Sequence, residues 1–107
     1  MSNKTLEQLL REHLQWTSTT FPKGTSIGAL LHAEREIKEV RDDIFLGMSF
    51  DKKREEYADV LGCIFDSMNR EGITVENVIE AWDKKLQVNK SRKWKDNGDG
   101  SYSHIKE

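Results

Sequence analysis

The sequence predicts an all-α fold built as a four-helix antiparallel bundle. Three features predict it. Proline occurs once, at Pro22, alternation of β-branched residues is scarce, and four stretches repeat apolar residues at helical spacing. The 107 residues suffice for one domain, spanning 1–107, with no internal repeat and no linker.

The first helix is predicted over about 5–18. Thr5 and Gln8 are spaced as a capping box, and Leu6, Leu9, Leu10 and Leu14 share a face. The loop TTFPKGTS follows, and Thr25 or Ser26 caps a second helix over about 27–46. At about 100° per residue, Leu30, Ala33, Ile37, Val40 and Ile44 fall within about 80° of one another, as an apolar stripe should. Gly47 and Ser49 mark a short break. The third helix covers about 51–70 and ends at Gly72, a favourable residue just past a C-terminus. Tyr57, Leu61, Ile64 and Met68 form its apolar face, which Ala58, Val60 and Phe65 widen until much of the surface is apolar. A helix of that kind is usually buried. Thr74 caps a fourth helix over about 75–93, with Val75, Val78, Ile79, Trp82 and Leu86 at helical spacing. From about 94 to 107 the tail is turn-rich, with at most a small hairpin at 97–100.

Composition narrows the function. Charged residues make up 34% of the chain and the hydrophobic set 36%, a polar balance for a small domain, which oligomerisation commonly remedies. A net charge of −2 gives no general attraction to nucleic acid or an anionic membrane. The run Val60–Phe65 is far too short to span a bilayer, and the polar N-terminus does not read as a signal peptide. The one cysteine, Cys63, reads as a buried reduced thiol, and the chain as cytoplasmic.

Two acid clusters carry the chemistry. His32, Glu36, Glu39 and Asp43 lie at i, i+4, i+7 and i+11, a stripe flanking the apolar one on the second helix. On the third helix Asp59 and Asp66 share a stripe, with Glu56 about 60° away. Like charges at these spacings repel. Salt bridges to the many Lys and Arg residues are one remedy, and a divalent cation is another. Consecutive helices joined by a short turn pack antiparallel, so the two clusters are able to meet. Oxygen donors with a single nearby imidazole suit Mg²⁺ or Mn²⁺. A di-iron bundle would need Glu-x-x-His, a spacing absent from the chain. On the fourth helix, residues 84–95 hold six cations and no acid. Complementing the helix dipole accounts for most of them. Lys85, Asn89 and Arg92 border the core stripe, a placement suited to phosphate oxygens.

The chain resembles the MazG-like all-α nucleoside triphosphate pyrophosphatases. Their signature, Glu-x-x-Glu then Glu-x-x-Asp, is matched by Glu36-Ile-Lys-Glu39 and Glu56-Tyr-Ala-Asp59. The phage-type dATP/dGTP diphosphohydrolase branch is matched by Trp16, Phe21, His32 and the set Lys85, Asn89, Arg92 and Trp94. The run Asp99-Gly100 to His104-Ile105-Lys106 matches as well. Arg35, where many members of the superfamily carry a second acid, fits that branch. The resemblance implies cleavage between the α and β phosphates of a purine (deoxy)nucleotide, dGTP or dATP. It implies Glu36, Glu39, Glu56 and Asp59 as catalytic and metal-holding residues, and Mg²⁺ or Mn²⁺ as the cofactor. It implies nucleotide contacts from Trp16, Phe21, His32, Lys85, Asn89, Arg92 and Trp94, and assembly as a homodimer or homotetramer. Trp16 and Phe21 are equally suited to base stacking and to the core. Asp43 and Asp66 read as supporting groups or surface acids. The alternatives are a pyrimidine (dUTP or dCTP) pyrophosphatase of the same superfamily and a non-catalytic helical interaction module. Nucleic-acid binding through 84–95 is disfavoured by the negative net charge and the single aromatic, Trp94.

Overall fold

A computed structural model describes residues 2–106. Among the described residues, four helices occur in the expected order: α1 Leu6–Thr20, α2 Ser26–Phe45, α3 Phe50–Arg70 and α4 Val75–Ser91. Two short strands follow, β1 Trp94–Asp96 and β2 Tyr102–His104. The all-α class and the number of helices are as predicted, and the tail forms a small hairpin that turns at 97–101, the most structure expected of it. The two strands pair antiparallel, Trp94 opposite His104 and Asp96 opposite Tyr102.

Local chemistry sets the helix ends. The Thr5 hydroxyl accepts from Gln8 N while the Gln8 side chain accepts from Thr5 N, closing the capping box at α1. Thr25 caps α2 through Gly28 N, and Ser49 caps α3 through Lys52 N. Gly72, at φ +78°, turns the chain away from α3 in a conformation that a Cβ would penalise.

The described residues form two compact units, one ending at Val75 and the other beginning at Glu76. In the first, α2 packs along α3, and α1 packs on α3 over a shorter contact. Leu10, Leu14 and Val75 form the core, with Phe65 and Met68 against it. Polar ties fix the helices to one another. His13 Nε2 donates to Gly62 O at 3.1 Å, Asn69 Nδ2 to Ser18 Oγ at 3.1 Å, and Ser67 Oγ to Ser26 O at 2.8 Å.

The buried faces differ from those expected. On α2 only Ala33 and Val40 of the apolar stripe are buried, while Leu30, Ile37 and Ile44 are exposed. These two lie on the edge of the stripe next to the acids, so α2 rolls towards α3 on its polar border and draws Glu36 and Asp43 inward. On α3 the buried side chains are Glu56 and Ser67, and Tyr57, Leu61 and Ile64 are exposed. Apolar periodicity located the helices, but the chain contains more apolar surface than three helices can cover on one another.

Candidate active site

The roll of α2 onto α3 brings the two acid motifs together. Glu36, Glu56 and Asp59 each offer a carboxylate oxygen, all within 4.8 Å of one another. Glu39 lies beside them, close enough for the charges of Glu36 and Glu56 to act on it. The Glu36 charge, and then the neighbouring Glu56 carboxylate, raise the Glu39 carboxyl above its ordinary range. Burial, followed by the Glu36 charge, raises Asp59. Glu56 is lowered, chiefly by a hydrogen bond from Lys52, whose Nζ lies 3.1 Å from Glu56 Oε1. Lys52 is raised in turn, first by Glu56 and then by the charges of Asp43 and Glu39.

This donor set fits a hard divalent cation. Glu56 is only 8% exposed, and its Oε2 is buried with no protein hydrogen-bond partner. An orphaned buried carboxylate oxygen among other carboxylates is costly without a cation. Asp43 Oδ2 is a second such oxygen.

Glu36 and Asp59 also line a cavity of ≈ 860 Å³ within the first unit. Its far wall carries Trp16 and Phe21, edge to face at 5.4 Å between ring centroids. Neither ring is core: both are about half exposed, on the cavity. His32 lies at the acid end, with Nε2 3.1 Å from Glu36 Oε1. His13 faces Trp16 at 6.2 Å between centroids.

Arg70 braces this wall. Nε bonds both oxygens of Asp66 at 3.2 and 3.1 Å, Nη1 donates to Gly24 O at 2.8 Å, and Nη2 donates to Thr17 O and Phe21 O at 3.3 and 3.0 Å. One guanidinium thus ties the end of α1 and the loop bearing Phe21 to α3. The backbone of Gly24 approaches so closely that a Cβ there would lie 2.6 Å from the Arg70 guanidinium. The sequence reading missed Arg70, His13 and Lys52. The available signal was an acid with a base four residues on, Asp66 with Arg70 and the reverse order in Lys52 with Glu56, a pattern equally common on solvated helices.

The second unit holds the remaining predicted residues. Asn89 Oδ1 accepts from Arg92 Nη1 at 3.1 Å, and Trp94 Nε1 donates to Asn89 O at 3.0 Å. Trp94 stacks edge-on to His104 at 6.0 Å. Arg92, Lys93, His104 and Lys106 line a recess of ≈ 600 Å³. Lys85 is exposed on α4.

Residues 9–107 match the model of the dATP/dGTP pyrophosphohydrolase family. The chain belongs to that family. Among relatives, the Eaa protein of Salmonella phage P22 is 33% identical over 106 residues, 94% of this chain. The chain spans 30% of the length of that relative. Among solved structures, a cyanophage S-2L MazG-like pyrophosphohydrolase bound to dGDP and three catalytic Mn²⁺ ions per active site superimposes with a TM-score of 0.75. That match is at 27% identity and covers 96% of this chain and 99% of the other. Among the described residues, no helix is long and apolar enough to cross a membrane.

Proposed function

We propose that this chain is a Mg²⁺- or Mn²⁺-dependent nucleoside triphosphate pyrophosphohydrolase acting on dGTP and dATP. The products are the deoxynucleoside monophosphate and pyrophosphate. The observation that carries this reading is one cavity lined both by Glu36 and Asp59 of the three-carboxylate cluster and by the Trp16–Phe21 aromatic pair. The cyanophage structure with dGDP and Mn²⁺ supports it.

In this reading Glu36, Glu39, Glu56 and Asp59 hold the metal, which when bound neutralises phosphate charge and acidifies water. Glu39, which is exposed, takes the proton of the attacking water in this reading. The water oxygen bonds to the α phosphorus as the bond to the α–β bridging oxygen breaks, and that oxygen leaves with pyrophosphate. Trp16 and Phe21 stack on the base. His32 orients Glu36 through their 3.1 Å contact. Lys85, Asn89 and Arg92 bind phosphate oxygens, and Trp94 fixes Asn89 through its carbonyl.

We also propose a homo-oligomer, a dimer or a pair of dimers. The exposed apolar residues of α2 and α3, among them Ile37, Ile44, Tyr57 and Leu61, support it. Assaying pyrophosphate release from each dNTP and NTP, with Mg²⁺, Mn²⁺ or chelator, tests the activity. Metal-dependent release fastest with dGTP or dATP is expected. A dUTP or dCTP optimum would move the chain to the pyrimidine branch, and no release from any triphosphate would refute the hydrolase. Light scattering that gave a monomer at micromolar concentration would refute the assembly.

A further inference from the structure

We propose that Asp66 reads hydrogen-bond donors on the edge of the base, making the cavity a guanine site ahead of an adenine site. This assignment rests on the reading of the cavity as a nucleotide site. Among the described residues lining it, Asp66 is the only carboxylate besides Glu36 and Asp59 of the acid cluster. It follows Asp59 by seven residues on α3, so it lies on nearly the same face after an axial rise of about 10.5 Å. That is the scale separating the α-phosphate of a nucleotide from the far edge of its base.

The side chain is placed to recognise a ligand. It is 14% exposed, and Arg70, 13% exposed, is pinned in turn by the carbonyls of Thr17, Phe21 and Gly24. Only one Arg70 N–H, on Nε, reaches the carboxylate, shared between its two oxygens. Acceptor capacity is left on both oxygens. The Trp16–Phe21 pair supplies a π surface on the same cavity.

A carboxylate offers acceptors only. Guanine presents two adjacent donors, N1–H and the N2 amino group, spaced to meet both oxygens of one carboxylate. Adenine presents a lone pair at N1 and a C–H at C2 on that edge, so the carboxylate would face lone pair against lone pair. A site built to hydrogen-bond a substrate group rejects analogues without it far more strongly than an apolar pocket does.

The test compares kcat/KM for dGTP, dITP and dATP with Mn²⁺, using the wild type and Asp66→Asn. Hypoxanthine, the base of dITP, keeps N1–H and lacks only the N2 amino group. The wild type should prefer dGTP over dITP by about tenfold or more, the scale of a hydrogen bond to a charged acceptor, and over dATP by more again. In Asp66→Asn the gap between dGTP and dITP should collapse, and dATP should gain relative to both. Equal use of dGTP and dITP by the wild type would overturn the proposal, and that comparison needs no variant to fold. An equal fall of all three substrates in Asp66→Asn, with the gap intact, would reduce Asp66 to a brace for Arg70. Calorimetric titration of the wild type with dGMP, dIMP and dAMP separates base reading from catalysis. Tight, dGMP-selective binding without turnover would refute the hydrolase and keep the base reader. Turnover without selectivity would do the reverse.

Discussion

Replacing Arg70 by Ala removes the group that binds α1, the following loop and α3 into one wall. Its donors reach the Asp66 carboxylate and three carbonyls, but the losses are unequal. Thr17 O keeps a bond from Phe21 N at 2.9 Å, and Phe21 O keeps one from Gly24 N at 3.0 Å. The cost therefore falls on Asp66, left charged and nearly buried, and on Gly24 O. Removing one partner of a buried ion pair costs about 3–5 kcal/mol, and the residual exposure of Asp66 puts it at the low end. The carbonyl adds about 1 kcal/mol, for a total of about 4 kcal/mol. In a chain of this length the unfolding midpoint should fall by roughly 15 °C or more. Far-ultraviolet circular dichroism on heating measures it. Arg70→Lys should recover part of the loss, because an ammonium can pair with Asp66 but lacks the fork that spans the carbonyls. Arg70→Ala combined with Asp66→Asn should be no less stable than Arg70→Ala alone, since the stranded charge is gone. A fall of less than about 5 °C, or strict additivity in the double variant, would refute the brace.

Glu39→Gln and Asp59→Asn keep side-chain shape but remove a ligand charge, so pyrophosphate release should drop by orders of magnitude with helicity retained; near-normal turnover in both would sink the metal assignment. In metal-free protein, Glu39 and Asp59 bind protons more tightly folded than unfolded, so their stabilising contribution is full at acid pH and lost as pH rises through their raised values. Asp59→Asn with chelator should therefore raise the unfolding midpoint at neutral pH and change it little at acid pH, and equal effects at both would contradict the electrostatic account. Glu56 runs the other way: its lowered carboxyl contributes above the ordinary glutamate range and that contribution is lost as pH falls, so Glu56→Gln should destabilise at neutral pH. Lys85→Ala and Arg92→Ala should slow every triphosphate about equally, whereas Trp16→Ala should slow purines more than pyrimidines; the converse pattern in a substrate panel would reverse these roles.

The helices were legible because their ends and periods are local properties. Thr5 with Gln8 needs only itself to make a capping box, and Gly72 needs only its own backbone. The convergence of Glu36 with Glu56 and Asp59 was legible because a short turn forces α2 back along α3. The rotation of each helix was not. Leu30, Ile37 and Ile44 have the periodicity of a core face, yet they are exposed. Periodicity marks apolar surface without saying which neighbour covers it, and acids drawn inward by a neighbouring helix leave no trace in spacing. Arg70 was equally silent, because three of its bonds go to main-chain carbonyls more than 40 residues away. Carbonyl positions are a product of tertiary structure, and any residue type supplies them.

Glu56, Asp59, Asp66 and Arg70 all stand on one unbroken helix of 21 residues. That makes α3 a ruler. The distance between the acid cluster and Asp66 is set by helical rise, not by the closure of a loop, so it cannot be adjusted continuously. One inserted residue between Asp59 and Asp66 would turn everything beyond it by about 100° and take Asp66 off the cavity face. Seven inserted residues would restore the facing but lengthen the gap by about 10.5 Å, too far for one nucleotide to bridge. Sequence drift can recolour this helix freely on its outer side, but its graduation between the two ends is fixed in whole turns.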